Sequence, residues 1–172
     1  MKKMLFLLVV FAFSLQAQEA TFKIVKKSKT SKPMLVGVCS RAELLKSPFG
    51  GWFKSEYDSY KPKFPDKKEV AEKLPAYKIV IVMGTWCPDS RREVPRFYKI
   101  LDSVNFPENQ VKLITVNRKK EGLAEETKDL NIQRVPTFIF YKNGTEAGRI
   151  IEHPSFDRLE DDIENIIHSV KK

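Results

Sequence analysis

Cys87 stands where a sulfur can do chemistry. It lies in Gly84-Thr85-Trp86-Cys87-Pro88-Asp89-Ser90, just after the apolar run Ile79-Val80-Ile81-Val82-Met83, and a helix is predicted to start at the proline. A thiol at a helix N-terminus meets the positive end of the macrodipole and unpaired backbone N–H groups. Both favour the thiolate, the form that attacks disulfides. Arg91 and Arg92 add positive charge in the first turn, and Asp89 opposes them. Ser90, three residues on, is placed to donate a hydrogen bond to the sulfur. The competing reading, an inert cysteine that merely packs, accounts less well for a thiol set between a strand and a helix-starting proline.

That placement depends on the elements around it. The run Ile79–Met83 is apolar without alternation, the pattern of a strand covered on both faces in the middle of a sheet. After it, Val94, Phe97, Tyr98, Leu101 and Val104 give a helix with one apolar stripe. Further strands are predicted at Thr21–Val25, Met34–Val38, Val111–Val116, Thr137–Tyr141 and Thr145–Ile151, the last two joined by the turn pair Asn143-Gly144. Helices are predicted from Ser40, over the aromatic stripe Trp52, Phe53, Tyr57 and Tyr60, from Asp66 to about Leu74, and over Leu123–Leu130. A last one carries Phe156, Leu159, Ile163, Ile166, Ile167 and Val170, with Ser155 as its N-cap. The stripe is read as core packing or cover for a sheet edge, with a partner-binding surface as the sharper alternative. From Asp66 onward the order is α-β-α-β-α-β-β-α. This implies a mixed central sheet with helices on both faces, parallel neighbours across the crossovers, and an antiparallel hairpin at one edge.

The whole sequence of 172 residues suffices for one domain with a real core, at 42% hydrophobic and 31% charged residues. Two cysteines cannot make a four-thiolate zinc site, and the two separated histidines, His153 and His168, do not complete a metal site. No cofactor is expected. There is no glycine-rich phosphate loop, no Ser/His/Asp pattern and no internal repeat. Net charge is +9, from 31 basic and 22 acidic residues. At the front, Met1-Lys2-Lys3, an apolar stretch from Met4 to Leu15 and a small residue at Ala17 form a secretory signal pattern, with cleavage expected near Ala17–Gln18. Losing Lys2 and Lys3 leaves 29 basic against 22 acidic residues, +7. Residues 18–65 then read as an N-terminal extension, and 66–172 as the main domain. The expected location is the periplasm or cell envelope, as a soluble protein with no later membrane span. Export demotes nucleic acid as a partner despite the basic charge, and it permits disulfide chemistry. The run Arg118-Lys119-Lys120 reads as a solvated turn.

The assembled motifs resemble the thioredoxin superfamily, over roughly Asp66 to the C-terminus. Trp86-Cys87-Pro88-Asp89-Ser90 occupies the place of the Trp-Cys-x-x-Cys motif, and Pro95 that of the proline in the active-site helix. Val135-Pro136-Thr137 looks like the family's cis-proline segment, and Lys142-Asn143-Gly144 like its hairpin. The stretch Gly84–Leu101 also resembles exported bacterial thioredoxin-like proteins that lack the second motif cysteine. The resemblance implies a thioredoxin-like fold, a cis Val135–Pro136 bond, and a loop at Val135, Pro136 and Thr137 that lies against the nucleophilic sulfur and binds substrate backbone. Three positions depart from the family pattern. The resolving cysteine is Ser90, the buried acid is Ile81, and the glycine after the last strand corresponds to Glu152.

Mechanism follows from the missing cysteine. Attack by Cys87 and formation of a mixed disulfide remain open, but a hydroxyl at position 90 is no useful nucleophile at neutral pH. Resolution then falls to the substrate's own second thiol, to a small-molecule thiol, or to Cys39. For Cys39 a packed core position is favoured over pairing with Cys87. His153 is read as an exposed loop residue, with tuning of the thiolate as the alternative. The expected activity is that of a monothiol (CxxS) thiol–disulfide oxidoreductase or isomerase, with thiol- or disulfide-containing proteins as partners. A redox-inactive binding module on the same fold is the alternative.

Overall fold

A computed structural model describes residues 21–26 and 28–169, so the leader expected at 1–17 lies outside the described residues. Six strands form one sheet in the order β1-β2-β4-β3-β5-β6. They are β1 (Phe22–Val25), β2 (Met34–Cys39), β3 (Tyr77–Met83), β4 (Val111–Thr115), β5 (Thr137–Lys142) and β6 (Thr145–Ile151). The helices are α1 (Arg41–Leu45), α2 (Gly50–Ser59), α3 (Lys67–Lys73), α4 (Pro88–Ser103) and α5 (Leu159–Ser169).

β3 lies at the centre, parallel to β4 and antiparallel to β5, as its unbroken apolar run requires. The crossover through α4 makes β3 and β4 parallel, while the turn at Asn143-Gly144 folds β6 back along β5. β1 and β2 extend the same sheet on the other side of β4, both antiparallel to their neighbours. The expected thioredoxin-like architecture, a mixed sheet with helices packed on it, is therefore the one observed.

Successive side chains of a strand point to opposite faces, and the sheet divides the core accordingly. Ile79, Ile81, Met83, Leu113, Phe138 and Phe140 belong to a large cluster with Phe97 of α4, Phe53 of α2 and Ile163 of α5. Phe97 stacks on Phe138 with ring centroids 4.3 Å apart. Val82, Ile114 and Val116 belong to a smaller cluster that includes Cys87 and Val135, with Leu130 and Ile132 packed against it. Phe53 is 2% exposed and stacks against Tyr57, so the aromatic stripe is core, as read from its spacing.

Two local expectations are corrected. No helix forms over 123–130; only a 3₁₀ turn at Lys128–Leu130 appears. Its apolar residues, Leu123 and Leu130, flank a charged stretch with no stripe to bury. Polar side chains serve the backbone instead: the Ala124 N–H donates to Glu126, and Asn117 Oδ1 accepts from Lys119 and Glu121. The last helix starts at Leu159, so Ser155 is not its N-cap and Phe156 is exposed. Carboxylates within the helix reach back instead. Asp162 accepts from the Ser155 N–H at 2.8 Å and Asp161 from the Arg158 N–H at 3.1 Å. At α3, by contrast, Asp66 caps as expected by accepting from the Glu69 N–H at 2.9 Å.

Candidate active site

β3 delivers the chain to the edge where β3 and β4 end. Gly84 and Thr85 then turn it so that Cys87 becomes the N-cap of α4 and Pro88 its first residue. A proline there costs nothing, because its missing N–H would have no helical partner. The turn is tied down from three sides. The Cys87 N–H donates to Gly84 O at 2.9 Å, the Leu35 N–H of β2 to Thr85 Oγ1 at 3.1 Å, and Trp86 Nε1 to Val116 O at 3.0 Å. Thr85 is fully buried, and sequence reasoning passed over it: only the register of β2 against β4 reveals its partner.

Cys87 is 7% exposed, and its Sγ donates to Val135 O at 3.2 Å. The Val135–Pro136 bond is cis, and Val135, Pro136 and Thr137 are all buried. Thr137 Oγ1 donates to Arg134 O at 2.7 Å and fixes the loop from the β5 side. The sulfur and the proline loop thus lie together. Their neighbours Val82, Ile114 and Val116 supply an apolar wall behind the thiol.

Ser90 does not serve the sulfur. It is 0% exposed, and its Oγ accepts from the Gly84 N–H at 3.2 Å, which makes it a brace for the strand-to-helix turn. Asp89 pairs with Arg92 at 2.8 Å, and the Arg92 guanidinium also bonds the buried carboxylate of Glu93 at 2.5 Å. Glu93, followed by Asp89, holds Arg92 firmly in its charged form. Arg91 is anchored by one nitrogen, Nε donating to Thr85 O at 2.6 Å. Arg118, read from the sequence as part of a solvated turn, lies 5.0 Å from the ring centre of Trp86 and covers its face. No sequence pattern pairs 118 with 86; the end of β4 brings them together.

At Glu152, where the resemblance calls for glycine, the backbone keeps the left-handed conformation glycine adopts most easily, with φ 67°. Its N–H donates to Pro136 O at 2.6 Å, and its carboxylate pairs with Arg134 beside the proline loop. His153 is exposed, and its Nδ1 lies 3.0 Å from Pro154 O.

Cys39 cannot reach Cys87 in this fold. It pairs with Leu113, which pairs with Ile81, so about two strand spacings, or roughly 10 Å, separate the Cα of Cys39 from that of Ile81. β2 also runs away from the edge that carries Cys87. Moreover, Cys39 faces the large cluster and Cys87 the small one, on opposite sides of the sheet. A disulfide needs Cα atoms within about 7 Å. The resolving role weighed for Cys39 is therefore corrected to a packed core position, and burial pushes its thiol up to about 12. Among the described residues, no group of three His, Cys, Asp or Glu side chains is placed to hold a metal ion. No described helix is long and apolar enough to cross a membrane.

The family model described as thioredoxin matches residues 65–165, more than half of the chain. Thioredoxin O, mitochondrial, of Oryza sativa subsp. japonica is 32% identical over 84 residues, covering 49% of this chain and 45% of that protein. The chain thus spans less than half the length of that curated relative. Among solved structures, thioredoxin of Fasciola hepatica is 20% identical with a TM-score of 0.39, covering 61% of this chain and 90% of the other. The oxidized form of mitochondrial thioredoxin 3 from Saccharomyces cerevisiae is 21% identical with a TM-score of 0.39, covering 64% and 98%.

Proposed function

Since the chain belongs to the thioredoxin family, we propose that it is an exported monothiol thiol–disulfide oxidoreductase or isomerase that works through mixed disulfides on Cys87. The observation that carries this reading is the seat of the sulfur, at the N-cap of α4 and against the Val135 carbonyl beside Pro136. The thiolate attacks one sulfur of a bound disulfide. A Cys87–S–S–X bond forms, the other sulfur leaves as a thiolate and takes a proton from water. Val135, Pro136 and Thr137 line the substrate side and offer backbone groups to an extended peptide. Trp86, Pro88, Asp89 and Arg91 shape the approach, and Ser90 keeps the turn in place without breaking the mixed disulfide. The partners are thiol- or disulfide-bearing proteins, and resolution comes from the substrate's second thiol or from a small-molecule thiol. Export rests on the Met1–Ala17 leader and is checked by the N-terminal sequence of the mature protein from a cell-envelope fraction.

One observation favours a second reading. Cys87 is mostly covered, and its thiol is engaged with a carbonyl, as suits a fold kept for binding without turnover. Trapping separates the two. The protein is incubated with a disulfide-bonded peptide, quenched by alkylation and analysed by mass spectrometry. Exchange chemistry gives an adduct on Cys87 that Cys87→Ser abolishes. No adduct at any peptide excess, with partner binding indifferent to Cys87→Ser, would leave only the binding module.

A further inference from the structure

Beside the motif lies a cleft of about 270 Å³ lined by Trp52, Ser55, Glu56, Pro88, Arg91 and Arg92. Half of its wall comes from α2, which lies outside the matched residues 65–165, so the family fold alone does not build it. The carboxylates around it are each held by an arginine: Glu56 by Arg96 at 2.9 Å, Asp89 by Arg92 at 2.8 Å, and Glu93 by Arg92 at 2.5 Å and by Arg96 at 3.7 Å. Arg91 holds none of them. Its Nε is fixed on Thr85 O and its guanidinium lies 5.9 Å from the ring centre of Trp52. Its two terminal nitrogens have no acceptor among the described residues. The fork is therefore held rigid by an anchor and an aromatic shelf, with its donors unspent. The Arg91 backbone follows the nucleophile by one helical turn, its N–H donating to Cys87 O at 3.1 Å, and Pro88, next to Cys87, lines the same cleft. A planar guanidinium in that state matches a carboxylate bidentately.

The geometry points to this cleft as a subsite for the carboxylate of a small acidic thiol, the reagent that resolves the Cys87 mixed disulfide; the inference rests on the exchange reading above. The size of the cleft suits a small molecule better than a folded partner. Neither Ser90 nor Cys39 is available for resolution, so an outside thiol is required whenever the substrate has no second one. With the carboxylate on Arg91, the thiolate RS⁻ attacks the substrate sulfur of Cys87–S–S–X. R–S–S–X forms, the Cys87–sulfur bond breaks, and the electron pair returns to Cys87. The same contact guides the reverse entry, attack of Cys87 on an acidic disulfide.

Entry is the simpler step to measure. Rates of Cys87 modification are compared for three disulfides of similar size: 3,3′-dithiodipropionate (acid), 2-hydroxyethyl disulfide (neutral) and cystamine (amine). The neutral reagent normalises any change in the thiol itself. The expected order is acid, then neutral, then amine. In Arg91→Gln the acid-to-neutral ratio should fall about three- to fivefold, the effect of one partly exposed charge pair, and Arg91→Lys should restore part of it. Lys78→Gln, exposed at the far end of β3, controls for overall charge and should leave the ratio unchanged. Equal rates for acid and neutral reagents, or an equal fall in Lys78→Gln, would overturn the subsite while leaving exchange chemistry standing. Failure of all three reagents to modify Cys87 would overturn the exchange reading and the subsite with it.

Discussion

Replacing Ser90 with cysteine should convert the site from one that needs help into one that resolves itself. Residues 87 and 90 are the N-cap and third residue of α4, three apart on one turn, which puts their Cα atoms about 5 Å apart. That separation lies within reach of a disulfide. The cost is local: Ser90 Oγ accepts one bond, from the Gly84 N–H, and its loss is worth about 1 kcal/mol. This is a small part of a typical stability of about 5–15 kcal/mol, so the variant should fold. The gain is kinetic. An internal thiol acts at an effective concentration in about the millimolar range or above, so against an external thiol at about 0.1 mM resolution should quicken by roughly tenfold or more. Reduction of insulin, followed by turbidity, reads the gain, and the mass lost on oxidation reports the new bond. A folded Ser90→Cys protein that forms the bond yet reduces insulin no faster than the parent would refute the argument that missing resolution limits this site.

The buried Cys39 makes the protein sensitive to high pH. Its folded thiol is pushed up to about 12, above its ordinary value of about 8.5, so the unfolded chain releases this proton first. The contribution is whole below about pH 8.5 and is lost as pH rises towards 12, at up to about 1.4 kcal/mol per pH unit. Urea titrations between about pH 8 and 10, below the range where Tyr57, Tyr60 and Tyr98 add slopes of their own, should show this slope in the parent and lack it in Cys39→Ala; parallel slopes would contradict it. Phe53→Ala empties a position that is 2% exposed between α2 and α4 and should cost about 3–5 kcal/mol in the same titration. A cost under about 1 kcal/mol would mean that α2 is not part of the cooperative unit.

The parts of the fold that were legible in the sequence are those where one local signal decides. The unbroken run Ile79–Met83 gave a central strand, Asn143-Gly144 a hairpin, and Cys87-Pro88 a helix start. Capping failed where several acceptors compete: Ser155 was passed over because Asp161 and Asp162 reach back, and the Leu123–Leu130 segment lacked a stripe that burial could reward. At the site, the nucleophile and the proline loop were readable because their motifs are contiguous. Thr85 with Leu35, Arg118 with Trp86 and Arg91 with Trp52 were not readable, since strand order and helix packing alone make those pairs.

The division of the two thiols by the sheet has a consequence for how the chain matures. Once the chain is folded, the two thiols cannot meet, because they lie on opposite faces of the sheet. Before the sheet closes, both are free to meet. Sheet closure therefore has to outrun oxidation, and a molecule cross-linked between positions 39 and 87 records a chain that lost that race.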